Sequence, residues 1–114
     1  SDLLTVMQAT TNGTLAETEV KFSNGAAACV VMASKGYPQK YESGFELVID
    51  KSVADKVYVA GAKLDNGVLK TAGGRVLGVT ATDDDLDLAI KRAYEAVGKI
   101  SWKDEFHRND IGVK

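Results

Sequence analysis

The sequence predicts an α+β domain: a mostly antiparallel sheet with one main C-terminal helix packed on it, and a short N-terminal helix. Three observations carry that reading. Val57 to Leu64 and Val68 to Thr71 flank Asp65-Asn66-Gly67. Asn-Gly between two β-prone runs marks a hairpin, because both residues tolerate the positive φ of a type I′ turn. Ala26 to Ala33 is a continuous apolar run, the pattern of a strand buried on both faces. From about residue 83 to 97, Leu86, Ile90, Ala93 and Val97 recur at three- and four-residue steps and lead on to Ile100, giving one core-facing helical stripe.

In chain order, Ser1-Asp2 caps a short helix with Leu3, Leu4 and Met7 on one face, and Asn12-Gly13 ends it. Such a stripe fits a helix that packs against preceding sequence, and equally a short terminal helix that docks on its own domain. Glu17 to Ser23 alternates weakly, with Val20 and Phe22 on one face, and Asn24-Gly25 turns into the apolar strand. Ser34 to Tyr41 is a loop holding the sole proline, and Phe45 to Ile49 reads as a short strand. Beyond the hairpin, Ala72-Gly73-Gly74 leads into Arg75 to Ala81, a strand returning to the sheet. Thr82 is the expected N-cap of the main helix, and Gly98 its natural C′ residue. Asp83, Asp84 and Asp85 then occupy the first turn, where the helix dipole favours carboxylates. The triplet also invites a metal reading, but three consecutive side chains fan out around a helix, so capping explains it better. Trp102 and Phe106 are expected to cover the end of the core.

With 114 residues the chain has room for one domain, residues 1–114, and too few for two cores. A net charge of -2 gives no footprint for nucleic acid or an anionic membrane. No segment approaches the roughly 20 apolar residues of a membrane span, and no signal peptide opens the chain. The single cysteine, Cys29, forms no disulfide within the chain and suits a reducing compartment, so a cytoplasmic location is expected. Cys29 itself reads as a small buried hydrophobe, with no basic sequence neighbour to stabilise a thiolate.

The catalytic inventory is nearly empty: one histidine, one cysteine and no metal-ligand spacing, and no phosphate-loop, dinucleotide or nucleophile-elbow motif. No catalytic or metal residue is assigned. His107 reads as a surface or packing residue, with no carboxylate assignable to orient it. Two loops stand out. In Thr71-Ala72-Gly73-Gly74-Arg75, the glycines can expose successive N–H groups to an anion while Arg75 adds a guanidinium. The same loop also reads as a tight connection in which Gly73 and Gly74 supply positive φ and Arg75 is simply solvated. In Lys35-Gly36-Tyr37-Pro38, Lys35 can meet a phosphate, Gly36 can admit a close backbone approach, and Tyr37 can pack on a ribose or base. A proline-defined turn with Tyr37 over the sheet edge is the other reading.

These loops carry a resemblance. Ala28-Cys29-Val30-Val31-Met32-Ala33-Ser34-Lys35-Gly36-Tyr37-Pro38 resembles the (A)xxVVxASxGYPxxY segment of glycinamide ribonucleotide synthetases. Val59-Ala60-Gly61-Ala62-Lys63-Leu64 with Asn66-Gly67 looks like that family's HAGTKxxxG hairpin. Thr71 to Ala81 is similar to its TxGGRVLGVTA stretch, Ala89 to Ile100 to its last long helix, and Arg108-Asn109-Asp110-Ile111-Gly112 to its terminal RxDIG. The blocks keep the family order over nearly the whole chain. The chain departs from it at Gln39, usually glycine, at Val59, often His or Phe, and at His107, frequently tyrosine.

The resemblance implies the C-terminal domain of an ATP-grasp ligase of purine biosynthesis. Such enzymes use ATP and magnesium, held mainly by an upstream region, to join glycine to 5-phosphoribosylamine. Residues 1–12 would then be the end of the preceding ATP-grasp segment. Gly73, Gly74 and Arg75 would help to hold an anionic substrate group, and Lys35, Gly36, Tyr37 and Pro38 would shape the rim. The alternative is a scaffold domain that only buttresses the ATP-binding region.

Overall fold

The computed structural model describes residues 1–113. Helix α1 spans Leu3–Asn12. Asp2 caps it by accepting from the Thr5 N–H at 2.9 Å, and Gly13 closes it, as the sequence predicts. A 3₁₀ turn at Leu15–Glu17 follows, and no strand forms where Glu17 to Ser23 alternates. Strand β1 is Ala26–Ser34 and β2 is Val48–Ile49, only part of the expected Phe45–Ile49 strand. A second 3₁₀ segment, Lys51–Lys56, leads to β3 (Val57–Val59), β4 (Ala62–Asp65), β5 (Val68–Thr71) and β6 (Arg75–Asp83). Helix α2 (Leu86–Val97), β7 (Ile100–Ser101) and β8 (Glu105–Phe106) complete the order. The α+β expectation holds.

The main sheet has the order β3-β6-β1-β8, antiparallel throughout, with β2-β7 and β4-β5 as separate two-stranded ribbons. The hairpin turn falls at Asn66 (φ 51) and Gly67 (φ 79), where Asn-Gly was expected to place it. The run before it does not form one arm. It breaks at Ala60-Gly61, so that Val57–Val59 pairs with β6 while Ala62–Asp65 pairs with β5. Thr71, buried at the end of β5, ties down the Gly44-Phe45 segment: its Oγ1 accepts from the Phe45 N–H at 3.0 Å and its carbonyl from Gly44 at 2.8 Å.

The core lies between one face of β1–β6 and α2, where Val30, Met32, Val76, Leu77, Val79 and Ala81 meet Ala93, Ala96, Val97 and Trp102. The helix stripe differs from the expected one. Ala89, Ala93, Ala96 and Val97 are buried, Leu86 is exposed, and Ile90 packs over Gly112. Small side chains let the helix axis approach the sheet, and that sets which residues face inward. The N-cap also moves: β6 runs on through Asp83, so Asp85 rather than Thr82 caps α2, accepting from Leu88 N–H at 3.1 Å. Asp83 instead pairs with Arg92 at 3.1 Å. Gly98 has φ -63, so nothing in its backbone demands a glycine.

Strand β1 is not buried on both faces. Val30 and Met32 face the core while Cys29 and Val31 lie exposed on the other side, Val31 at 45%. The expectation of a buried Cys29 fails for the same reason: an all-apolar strand hides its alternation from sequence. Phe106, at 52% exposed, stands on this open face too, whereas Trp102 does close the core. Among the described residues, no helix is long and apolar enough to cross a membrane.

Candidate functional site

Two of the predicted loops meet at the β1–β6 end of the open face. Gly73 and Gly74 are not in the left-handed region, so neither serves through positive φ. Close approach explains both. A Cβ on Gly74 would lie 2.6 Å from Tyr37 Cε2 and nearer still to Cδ2, because the Tyr37 ring packs directly on that backbone. A Cβ on Gly73 would meet Gly61 Cα at 3.2 Å. Their carbonyls turn inward to Ser34, whose N–H donates to Gly74 O at 2.7 Å and whose hydroxyl donates to Gly73 O at 2.9 Å. Gly36 has φ 99, and a side chain there would run into the Lys40 carbonyl, so this turn does require glycine.

Arg75 leaves this backbone onto the open face. It is exposed, and among the described residues its guanidinium makes no hydrogen bond or ion pair. It stands between two concavities. One, of about 560 Å³, is lined by Tyr37, Tyr58, Val59, Ala60, Gly61 and Gly74 beside Arg75. The other, of about 270 Å³, is more apolar, with Cys29, Val31, Ala33, Phe106 and Ile111 as its walls and His107 and Arg108 at its edge. Arg108 is already engaged by Asp110 through two contacts at 2.9 and 2.7 Å; that bond raises the arginine pKa and holds the Asp110 carboxyl below its usual range. Arg75 is therefore the unpaired cation of the pair.

The remaining predicted residues divide. Tyr37 joins Gly74 and Arg75. Lys35 and Gly36 open instead on a third concavity of about 430 Å³ with Lys40, Tyr41, Glu42 and Asp104, and Pro38 lines none of the three. His107 does have an orienting carboxylate, Glu105 Oε1 at 2.6 Å from Nδ1, contrary to the sequence reading. The two residues lie on one short strand and its exit, two positions apart, a spacing that carries no signal by itself. Ser34, Gly61, Val31 and Tyr58 were not singled out by sequence. Only Gly61, between two alanines in an otherwise β-prone run, could have been suspected. Among the described residues no group of three or more His, Cys, Asp or Glu side chains could hold a metal ion.

The structure thus defines a small antiparallel α+β domain whose open sheet face presents a cation over a divided cleft. The family model described as "Phosphoribosylglycinamide synthetase, C domain" matches residues 27–114, and the chain belongs to that family, as its motifs imply. It is 43% identical over 112 residues to a phosphoribosylamine–glycine ligase of Clostridium acetobutylicum, covering 98% of this chain and 27% of that protein. With the corresponding ligase of Rhizobium meliloti the identity is 46% over 114 residues, again covering 98% and 27%. The crystal structure of phosphoribosylamine–glycine ligase from Thermotoga maritima superposes with a TM-score of 0.71 at 34% identity, covering 75% of this chain and 22% of that one. The chain spans about a quarter of the length of these curated relatives.

Proposed function

We propose that this chain acts as the C-terminal, substrate-side domain of a phosphoribosylamine–glycine ligase. In that reaction ATP phosphorylates the glycine carboxylate, giving an acyl phosphate and ADP. The amine of 5-phosphoribosylamine attacks the acyl carbon and phosphate leaves, forming glycinamide ribonucleotide for de novo purine biosynthesis. Activation is needed because a carboxylate is a poor electrophile. Magnesium fits poorly to the described residues, which offer no acidic cluster, and on this proposal it is held, together with ATP, by the region that precedes this domain in the relatives. Residues 1–12 belong to the end of that region on this proposal. They lie outside the family match, and α1 and the segment after it leave Leu3, Leu4, Met7 and Phe22 exposed, Phe22 at 89%. A cytoplasmic setting accords with an exposed thiol that has no partner cysteine.

The observation that carries the proposal is the unpaired Arg75 guanidinium, displayed beside a cleft from a backbone packed against Tyr37 and Gly61. A guanidinium displayed in this way can take a phosphate or carboxylate through two parallel N–H···O bonds. Arg75, Gly74 and Tyr37 form the wall that meets the phosphoribosylamine phosphate or the glycine carboxylate, and Lys35 and Gly36 shape the neighbouring rim. In the full-length ligase, Arg75→Ala should lower kcat/KM for one substrate by roughly 10- to 100-fold, the loss of a charged hydrogen bond, at unchanged melting temperature. The substrate whose KM rises identifies the anion. Unchanged kinetics would leave the buttress reading, which draws on Val31 and Tyr58 being exposed on the same face.

A further inference from the structure

We infer that Ser34 is the positioning residue that turns Arg75 toward the cleft, an inference that rests on the substrate reading of Arg75. On β6, Leu77, Val79 and Ala81 point into the core. Strict alternation would send Arg75 to that same side and Val76 to the open face. The opposite is found: Val76 is fully buried and Arg75 exposed.

The cause is a slip in pairing. Met32 lies opposite Leu77, but Ala33 lies opposite Arg75, so β6 spends one extra residue at Val76. A bulge of this kind re-aims the side chain next to it, because a one-residue shift exchanges the two faces of a strand.

What fixes the slipped register is the residue after it. Ser34 is 3% exposed and grips both carbonyls ahead of Arg75, with its N–H on Gly74 O at 2.7 Å and its hydroxyl on Gly73 O at 2.9 Å. Its own carbonyl accepts from the Tyr37 N–H at 3.1 Å, which seats the ring that covers Gly74. The hydroxyl is the one part of this clamp that an ordinary strand residue would not supply. An alanine keeps the backbone bond but frees Gly73 O, and the loop before Arg75 can then rotate.

The test is a mutant cycle in the full-length ligase, with steady-state kinetics for glycine and phosphoribosylamine and a melting curve for each variant. Ser34→Ala should reduce kcat/KM about tenfold for the same substrate that Arg75→Ala weakens, since a small misplacement of a binding group is costly. It should cost nothing further in the Arg75→Ala background, and Ser34→Thr, which keeps the hydroxyl, should restore most of the loss. A serine that serves stability alone would lower the melting temperature and multiply with Arg75→Ala. That result, or wild-type kinetics for Ser34→Ala beside an impaired Arg75→Ala, overturns the positioning role only. Wild-type kinetics for Arg75→Ala overturns the substrate reading and the positioning role with it. If Ser34→Ala does not fold, Ser34→Cys, near in size with a weaker donor, makes the same comparison.

Discussion

Gly61→Ala tests whether the cleft is held by close backbone packing. Gly61 is not in the left-handed region, so a methyl there meets no conformational penalty of its own. It would, however, lie 2.9 Å from Gly73 Cα and closer still to the Arg75 carbonyl oxygen. Both are backbone atoms and cannot rotate aside, so the two segments must part by about 0.5 Å or more. Overpacking of this kind costs about 1–3 kcal/mol. The Ala72 N–H bond to Gly61 O, 2.7 Å long, lies in the path of that movement, and its loss adds about 1 kcal/mol. For a domain of this size, a total of roughly 3 kcal/mol lowers the melting temperature by about 10 °C or more. Gly78→Ala is the matched control on the neighbouring strand, where the new methyl makes only an ordinary 3.4 Å contact with Cys29 Sγ. It should melt at or slightly above wild type, because alanine loses less backbone entropy on folding. Thermal unfolding of the 114-residue chain followed by circular dichroism reads both. Equal melting temperatures for the two variants would refute the close-packing account.

Three further outcomes follow from the geometry. The Tyr94 hydroxyl donates to Arg108 O at 2.7 Å and accepts from Ile111 N–H at 3.0 Å, so Tyr94→Phe should release the tail, costing about 1–2 kcal/mol and speeding exchange of the Ile111 amide. Hydrogen exchange checks this. Asp83 is held below the ordinary carboxylate value of 3.8 first by the hydrogen bond from Arg92 and then by the Asp84 N–H. The stability it adds is therefore full above that value and fades as the pH falls through the lowered one. The urea midpoint should decline in acid, and Asp83→Asn should flatten part of that decline. Cys29, being exposed, should react with a disulfide reagent such as DTNB in the folded chain without denaturant, where a buried thiol would wait for unfolding.

Sequence exposed what depends on local chemistry and concealed what depends on pairing. The Asn66-Gly67 turn, the Asp2 cap and the Gly13 end of α1 follow from preferences a few residues long, and each could be read directly. The exposed side of β1 could not, since Cys29 and Val31 are as apolar as Val30 and Met32, and only the absence of a covering layer separates them. The Thr82 cap failed because β6 extends by pairing with β1 out to Ala26↔Asp83, an advantage that lies on another part of the chain. For the site, the Gly-Gly-Arg run was legible as unusual, but the positive φ that one reading gave its glycines is absent. The glycines admit Tyr37 and Gly61, not positive φ. Lys35 and Tyr37, two apart in sequence, end up on different concavities because the Gly36 turn intervenes.

The same geometry explains why a cation displayed this openly needs a second surface to matter. In water, a unit charge pair 4 Å apart gains about 1 kcal/mol, whereas at the effective dielectric of a protein crevice it gains about 4 kcal/mol. Arg75 stands on an open face beside walls of Val31, Val59 and Phe106, which hold water poorly but do not enclose it. If, on the proposed function, the preceding segment closes over this face, water would leave and the bond from Arg75 to substrate would strengthen several-fold in energy without any change in the domain. The isolated chain then carries the geometry of a binding wall but little of its affinity. On that proposal the apolar residues flanking Arg75 would keep the closed cleft dry, and dryness would strengthen the bond from its guanidinium to an anion.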